Sequence, residues 1–157
     1  MNVTNTYDFI IVGAGSAGCV LANHLIADRR FTVLLIEAGK MSHPLTPVPI
    51  SFSRFIDNPK VNWCYGSEPE PVMAQRSIPV PRGRMLGGSS AINGLVYVRG
   101  QPLEYNTWAQ LGNRGWSFDD VLPIFQRMEN YEPGADEWRR QGGPLHVSDV
   151  ADQNRLY

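Results

Sequence analysis

Apolar residues gather first in a short run, Phe9 to Val12, then at Val20, Leu21 and Leu25 with His24 beside them, then in a second run from Phe31 to Ile36. Short unbroken runs read as buried strands, and the spacing of three and four between them reads as one face of a helix. The order predicts a strand, a helix over 16–27 and a second strand, with Asp28, Arg29 and Arg30 closing the helix. From Lys40 to Arg84 prolines are frequent and helical periodicity is lost. This predicts a long irregular excursion with short strands, for which Trp63, Cys64 and Tyr65 are the best candidates. An excursion of that length is uncommon inside a compact domain and points to a functional loop or a lid. Beyond it, Gln101 to Leu111 reads as a helix with proline in its first turn and Gly112 past its end. Ser117 to Asp120, before Val121 to Met128, reads as a further helix with a capping serine and acids in its first turn. Leu145, His146 and Val147 then form a last strand after Gly142, Gly143 and Pro144.

The connection between the first strand and the first helix carries the chemistry. Gly13, Gly15 and Gly18 have the spacing of a dinucleotide-binding turn, and Glu37 follows the last of them by 19 residues, at the end of the second strand. The first glycine makes the tight turn, the second lets backbone approach a pyrophosphate, and the third lets the helix pack closely on the strand. Ser16 and Ala17 open the helix, whose free N–H groups and positive dipole end suit phosphate oxygens. The Glu37 carboxylate can accept hydrogen bonds from ribose hydroxyls and would repel a 2′-phosphate, so NADP is disfavoured. An ordinary glycine turn in an α/β protein is the plain alternative, and the turn alone does not separate NAD from FAD. A second turn, Gly87, Gly88, Ser89 and Ser90, lies beside Arg84, with Ser89 expected to cap a helix. Two phosphate-friendly turns in one short chain fit a ligand longer than a mononucleotide; taken alone, the second is equally readable as a flexible surface loop.

Composition narrows the function classes. In 157 residues, 43% are apolar and 18% charged, which suits a globular chain with a real core. The net charge of −1 and the lack of basic runs give no reason to expect nucleic acid. The apolar run near the start is too short for a signal-peptide core or a membrane span, so Met1 is expected to be the true start of a cytoplasmic protein. Cys19 and Cys64 have no metal or redox spacing, and Cys19, beside Gly18 on the first helix, is expected to be a small buried apolar residue.

The segment Gly83-Arg84-x-Leu86-Gly87-Gly88-Ser89-Ser90-x-Ile92-Asn93, continued by Tyr97, Gly100 and Asn106, resembles the first signature of the glucose–methanol–choline (GMC) oxidoreductases. The run from Asn93 to Gly100, Trp108, Gly115-Trp116-Ser117 and Gly142-Gly143-Pro144-Leu145 are similar to the same family, in its bacterial choline-dehydrogenase-like branch. The resemblance implies an α/β, Rossmann-like FAD-binding domain over 1–140, including the 40–84 excursion. The start of a substrate domain would follow over 141–157, with the rest of that domain missing from the chain. It implies FAD rather than NAD, and an enzyme that oxidises the CH–OH group of an alcohol by hydride transfer to flavin N5. The cofactor-binding residues it implies are Gly13, Gly15, Ser16, Ala17, Gly18, Glu37 and Ala38 around the first turn, with Trp63 from the excursion. Arg84, Gly87, Gly88, Ser89, Asn93, Gly94, Leu95 and Val96 join them from the second turn and its exit. Backbone N–H groups from Asn93 onward would stabilise negative charge on the reduced ring. Covalent members of the family carry a histidine just before the signature asparagine. Ile92 stands there in this chain, so the flavin is expected to be held without a covalent bond. No catalytic residue is expected among His24, His43 and His146. The base, and the partner of this chain, are expected in a C-terminal segment or second chain, with a small alcohol as substrate and oxygen or another acceptor to reoxidise the flavin. Neither a metal nor a membrane span is expected. A hydroxynitrile lyase of the same fold and a non-catalytic flavin-binding fragment are the alternatives.

Overall fold

The computed structural model describes residues 6–149. Met1, and residues 150–157 of the segment expected to open a substrate domain, lie outside them. The chain divides into two compact units, Met1–Val96 and Tyr97–Tyr157.

In the first unit, β1 (Phe9–Val12) and β2 (Val33–Ile36) pair in parallel, Phe9 opposite Val33 and Val12 opposite Ile36, with α1 (Ser16–Ile26) as the crossover. This is the expected Rossmann-type βαβ unit. β2 starts two residues later than the apolar run because Thr32 is taken by a clamp: the Asp8 carboxylate accepts from the Thr32 N–H at 2.7 Å and hydroxyl at 2.8 Å. In return, the Asp8 and Phe9 N–H groups donate to the Thr32 carbonyl. α1 ends one residue early, at Ile26, and the chain turns through Arg29 in the left-handed region. On β1 Ile11 is buried while Ile10 and Val12 remain open, 61% and 83% exposed, and Val33 to Leu35 on β2 are partly buried.

The 40–84 excursion is irregular but packed. Phe55, Val61, Met85 and Ile92 form a buried apolar cluster, and two short 3-10 helices (Pro49–Arg54 and Pro71–Met73) lie within the stretch. Asn62, 1% exposed, replaces regular hydrogen bonding here: its amide donates to the Phe55 and Ile56 carbonyls, and its oxygen accepts from the Cys64 N–H at 3.0 Å and the Arg82 N–H at 2.8 Å. A polar side chain fully used in this way holds loop backbone that has no ladder of its own. The expected strand at Trp63 is displaced. Cys64 sits at φ +52°, which breaks extended backbone, so β3 is Tyr65–Gly66, antiparallel to β4 (Pro79–Val80). Trp63 still donates its N–H to the Arg82 carbonyl at 2.9 Å.

The second unit contains α2 (Pro102–Gln110), α3 (Phe118–Met128), and a parallel pair of β5 (Glu129–Tyr131) and β6 (Leu145–Val147). α3 begins directly after the expected cap, where Ser117 and Asp120 form a reciprocal capping box. Asn106 on α2 accepts the Phe118 N–H at 3.0 Å, which gives Asn106 a local role at the start of α3. Glu129, fully buried, receives Arg99 at 2.6 Å and Arg139 at 3.0 Å on the same carboxylate oxygen. None of the described helices is long and apolar enough to cross a membrane.

Candidate functional site

A cleft of about 820 Å³ opens at the C-terminal ends of β1 and β2 within the first unit. Ligands of open parallel sheets bind at that end of the strands, and the volume falls within the range of small-molecule sites. Gly13, Gly15, Ser16, Ala17 and Gly18 line one side, and Glu37 and Ala38 adjoin them from the end of β2. Gly15 is the N-cap of α1 and has no side chain to satisfy the first-turn N–H donors, which leaves them to a ligand.

The three glycines separate by what surrounds them. A Cβ on Gly18 would lie 2.0 Å from the Gly13 carbonyl oxygen, so close helix–strand packing requires glycine there. A Cβ on Gly15 would meet nothing nearer than the Gly88 Cα at 3.9 Å, so the space before it belongs to the cleft. That open face over free helix donors fits a pyrophosphate. Glu37 does more than face the cleft. One carboxylate oxygen accepts the Ala14 N–H at 2.9 Å and the other accepts the Gly39 N–H at 3.0 Å, which ties the first turn to the end of β2. Each oxygen keeps a further lone pair for a ribose hydroxyl.

The second turn is docked on the first. Gly87 donates its N–H to the Ala14 carbonyl at 2.7 Å, and a Cβ on Gly88 would come within 2.7 Å of the Gly15 Cα. The two turns therefore build one floor. Ser89 does not cap a helix: Gly87 precedes a short 3-10 turn, Gly88–Ala91, and the Ser89 hydroxyl accepts the Gly83 N–H at 3.2 Å instead. Gly88 and Ser89 line the cleft, as does Trp63.

Other expected site residues are not among those lining the cleft. Arg84 projects over the Trp63 ring, its guanidinium carbon 4.8 Å from the ring centre. Asn93 and Leu95 line a separate cavity of about 50 Å³ together with Ser51, Phe55 and Ala91. The Asn93 side chain accepts the Leu95 N–H at 3.1 Å. Gly94 and Val96 are exposed. Residues the sequence reading passed over do line the cleft: Val12 and Ile36 at the strand ends, Leu21 on α1, and Tyr65 and Arg82 from the excursion. Strand periodicity does not bring Trp63 and Tyr65 together, because Cys64 between them is in the left-handed region. Their rings are parallel within 3° and 6.0 Å apart.

The remaining candidates take structural places. Cys19 is half-buried rather than buried, and its thiol donates to the Ala14 carbonyl at 3.3 Å. His43 packs edge-on to Phe55 and accepts the Leu45 N–H. His146 is exposed, 3.9 Å from Glu132. Among the described residues no group of His, Cys, Asp or Glu is placed to hold a metal.

Comparison with known proteins agrees with this architecture. The family profile described as GMC oxidoreductase matches residues 7–156. An oxygen-dependent choline dehydrogenase of Brucella ovis is 45% identical over 151 residues, covering 96% of this chain and 28% of the relative. The chain thus spans little more than a quarter of the length of such relatives. Among solved structures, pyridoxine 4-oxidase from Mesorbium loti superposes with a TM-score of 0.82 at 37% identity, over 90% of this chain and 28% of that one. An FAD-dependent oxidoreductase from Chaetomium thermophilum gives 0.78 at 34% identity, over 91% and 26%. A match across nearly the whole chain, on top of paired glycine turns closing over a parallel βαβ unit, means that this chain belongs to the GMC oxidoreductase family.

Proposed function

We propose that this chain is the FAD-binding part, 1–140 with the start of a substrate domain at 141–157, of an oxidoreductase acting on the CH–OH group of an alcohol. The observation that carries the reading is the floor made where Gly15 meets Gly88, open to the cleft on the Gly15 side and bounded by Glu37. The names of the relatives support it, since choline and pyridoxine both present an alcohol carbon.

The N–H groups of Ser16, Ala17 and Gly18 would hold the pyrophosphate, helped by the positive end of α1. Glu37 would accept the adenosine ribose hydroxyls on the lone pairs left by Ala14 and Gly39. The exit of the second turn, Asn93 to Val96, would lie along the flavin ring and offer backbone N–H groups to charge that develops there. The bound flavin would supply the hydride acceptor. This chain contributes no base to that step in the proposal; a C-terminal segment or second chain does. Ile92 offers no nucleophile, so attachment is non-covalent. A cytoplasmic location completes the proposal and is checked by cell fractionation.

The test is anaerobic mixing of the complete flavin-loaded protein with choline, pyridoxine and simple primary alcohols. Bleaching of the flavin absorbance is the expected result, and a flavin unchanged by every alcohol rejects the reaction class. Acid precipitation should release all flavin to the supernatant. A protein that stays yellow, with flavin mass on this chain, rejects non-covalent attachment.

A further inference from the structure

Arg84 is unusual among the cations of the first unit. Its Nε is buried and has no hydrogen-bond partner among the described residues, and no carboxylate there pairs with it. The residue as a whole is only partly buried, so what lacks a partner is this one N–H group, and a buried donor left unpaired costs about 1–3 kcal/mol. What it faces instead is an aromatic surface: the guanidinium lies 4.8 Å from the centre of the Trp63 ring. At a partly buried site this contact contributes between the about 0.5–1 kcal/mol of an exposed pair and the roughly 2 kcal/mol of a desolvated one, and a planar guanidinium also matches a flat ring in shape.

The base of the Arg84 side chain is fixed. Its N–H donates to the Val61 carbonyl at 2.7 Å, and the next residue, Met85, is 1% exposed in the apolar cluster. The other end is a half-open aromatic wall. Trp63 is 42% exposed, lies parallel to Tyr65 and lines the same cleft as Glu37. An indole that exposed loses rotamer freedom only where something packs on it; Tyr65 lies parallel to the ring, and Arg84 adds a contact from a firmly rooted stem.

We propose that Arg84 is a positioning residue. It acts through the Trp63 face and holds the indole as a stacking plate for the purine of the bound dinucleotide. The proposal rests on the FAD-binding reading above and identifies how the adenine end is gripped. Stacking of a base on an aromatic side chain contributes about 1–3 kcal/mol, and only when the plate is already in place.

The experiment is a double-mutant cycle in the complete apoprotein, with ADP and FMN as separate probes measured by calorimetry. ADP carries the adenine end alone and FMN the flavin end alone. Arg84→Met, which keeps the stem and removes the charge, should weaken ADP on the order of tenfold and leave FMN unchanged. Arg84→Lys should fall between Arg84→Met and the parent. In a Trp63→Ala background, Arg84→Met should have no further effect on ADP, because the plate it positions is gone. An ADP affinity unchanged in Arg84→Met overturns the proposal. So does an equal loss in the Trp63→Ala background, which would mean that Arg84 touches the ligand itself. Equal weakening of ADP and FMN would mark a purely structural role and also overturns it; should Arg84→Met fail to fold, Arg84→Lys carries the same comparisons. A parent protein that binds neither probe nor FAD removes the dinucleotide reading, and this proposal with it.

Discussion

Replacing Gly15 and Gly18 in turn by alanine should separate ligand contact from packing, although the two glycines belong to one motif. A Cβ on Gly18 would lie 2.0 Å from the Gly13 oxygen, and ordinary contact begins at 3.4 Å, so turn or helix must yield by about 1.4 Å. Both are backbone and are held on each side, Gly13 by its N–H to Ile36 at 2.7 Å and α1 by its own ladder. Forced overpacking of that kind costs about 1–3 kcal/mol and occasionally more. Gly18→Ala should stand at the upper end, because no side-chain rotamer relieves the clash. At Gly15 the added methyl has no neighbour within ordinary contact except the Gly88 Cα at 3.9 Å, and the backbone there is extended, at φ −78°. Alanine is a poorer N-cap than glycine by roughly 0.5–1 kcal/mol, and the stiffer unfolded chain returns about 0.4–1 kcal/mol. Stability should therefore change by less than about 1 kcal/mol. The methyl nevertheless fills the space before the first-turn donors, and FAD affinity should fall at least tenfold, about 1.4 kcal/mol. Differential scanning fluorimetry and FAD titration of the complete apoprotein read both quantities. Gly15→Ala with unimpaired FAD binding, or Gly18→Ala with an unchanged melting temperature, would refute the division of roles.

Three further outcomes follow from other contacts. Glu37→Gln replaces an acceptor with a donor facing the Ala14 or Gly39 N–H, so it should cost about 1–3 kcal/mol of stability as well as weaken FAD; a normal melting temperature would show that the clasp between the turns is idle. The Thr32 N–H, and then its hydroxyl, hold the Asp8 carboxyl below its ordinary value of 3.8. A depressed acid contributes stability that is present above that value and lost as pH falls through the lower folded one. Acid unfolding should therefore be shallower in Asp8→Asn than in the parent below about pH 4, and identical slopes would contradict the clamp. Glu129→Ala leaves Arg99, largely buried, without its carboxylate and should destabilise by about 3–5 kcal/mol; hydrogen exchange should show the loss first at β5, and full protection there would count against it.

The βαβ unit was legible in the sequence because its signals are local. Apolar runs, helical spacing and the glycine turn each depend on residues within a few positions, and Ser117 with Asp120 marks a helix start in the same way. The acid at Glu37 was legible as chemistry, but its grip on the Ala14 and Gly39 N–H groups was not, since that depends on parallel pairing bringing the two strand ends together. The excursion resisted reading for a related reason: its order comes from one buried amide, Asn62, and an apolar cluster drawn from Phe55 to Ile92, neither of which leaves a period along the chain. Ser89 looks like a cap from its neighbours, yet Gly87 takes the turn because its N–H is engaged by the Ala14 carbonyl across 73 residues. Sequence determined where the two glycine turns fall along the chain. Only the tertiary structure decided that the two turns share one floor and that Arg84 faces Trp63, because such contacts join residues whose local patterns say nothing of each other.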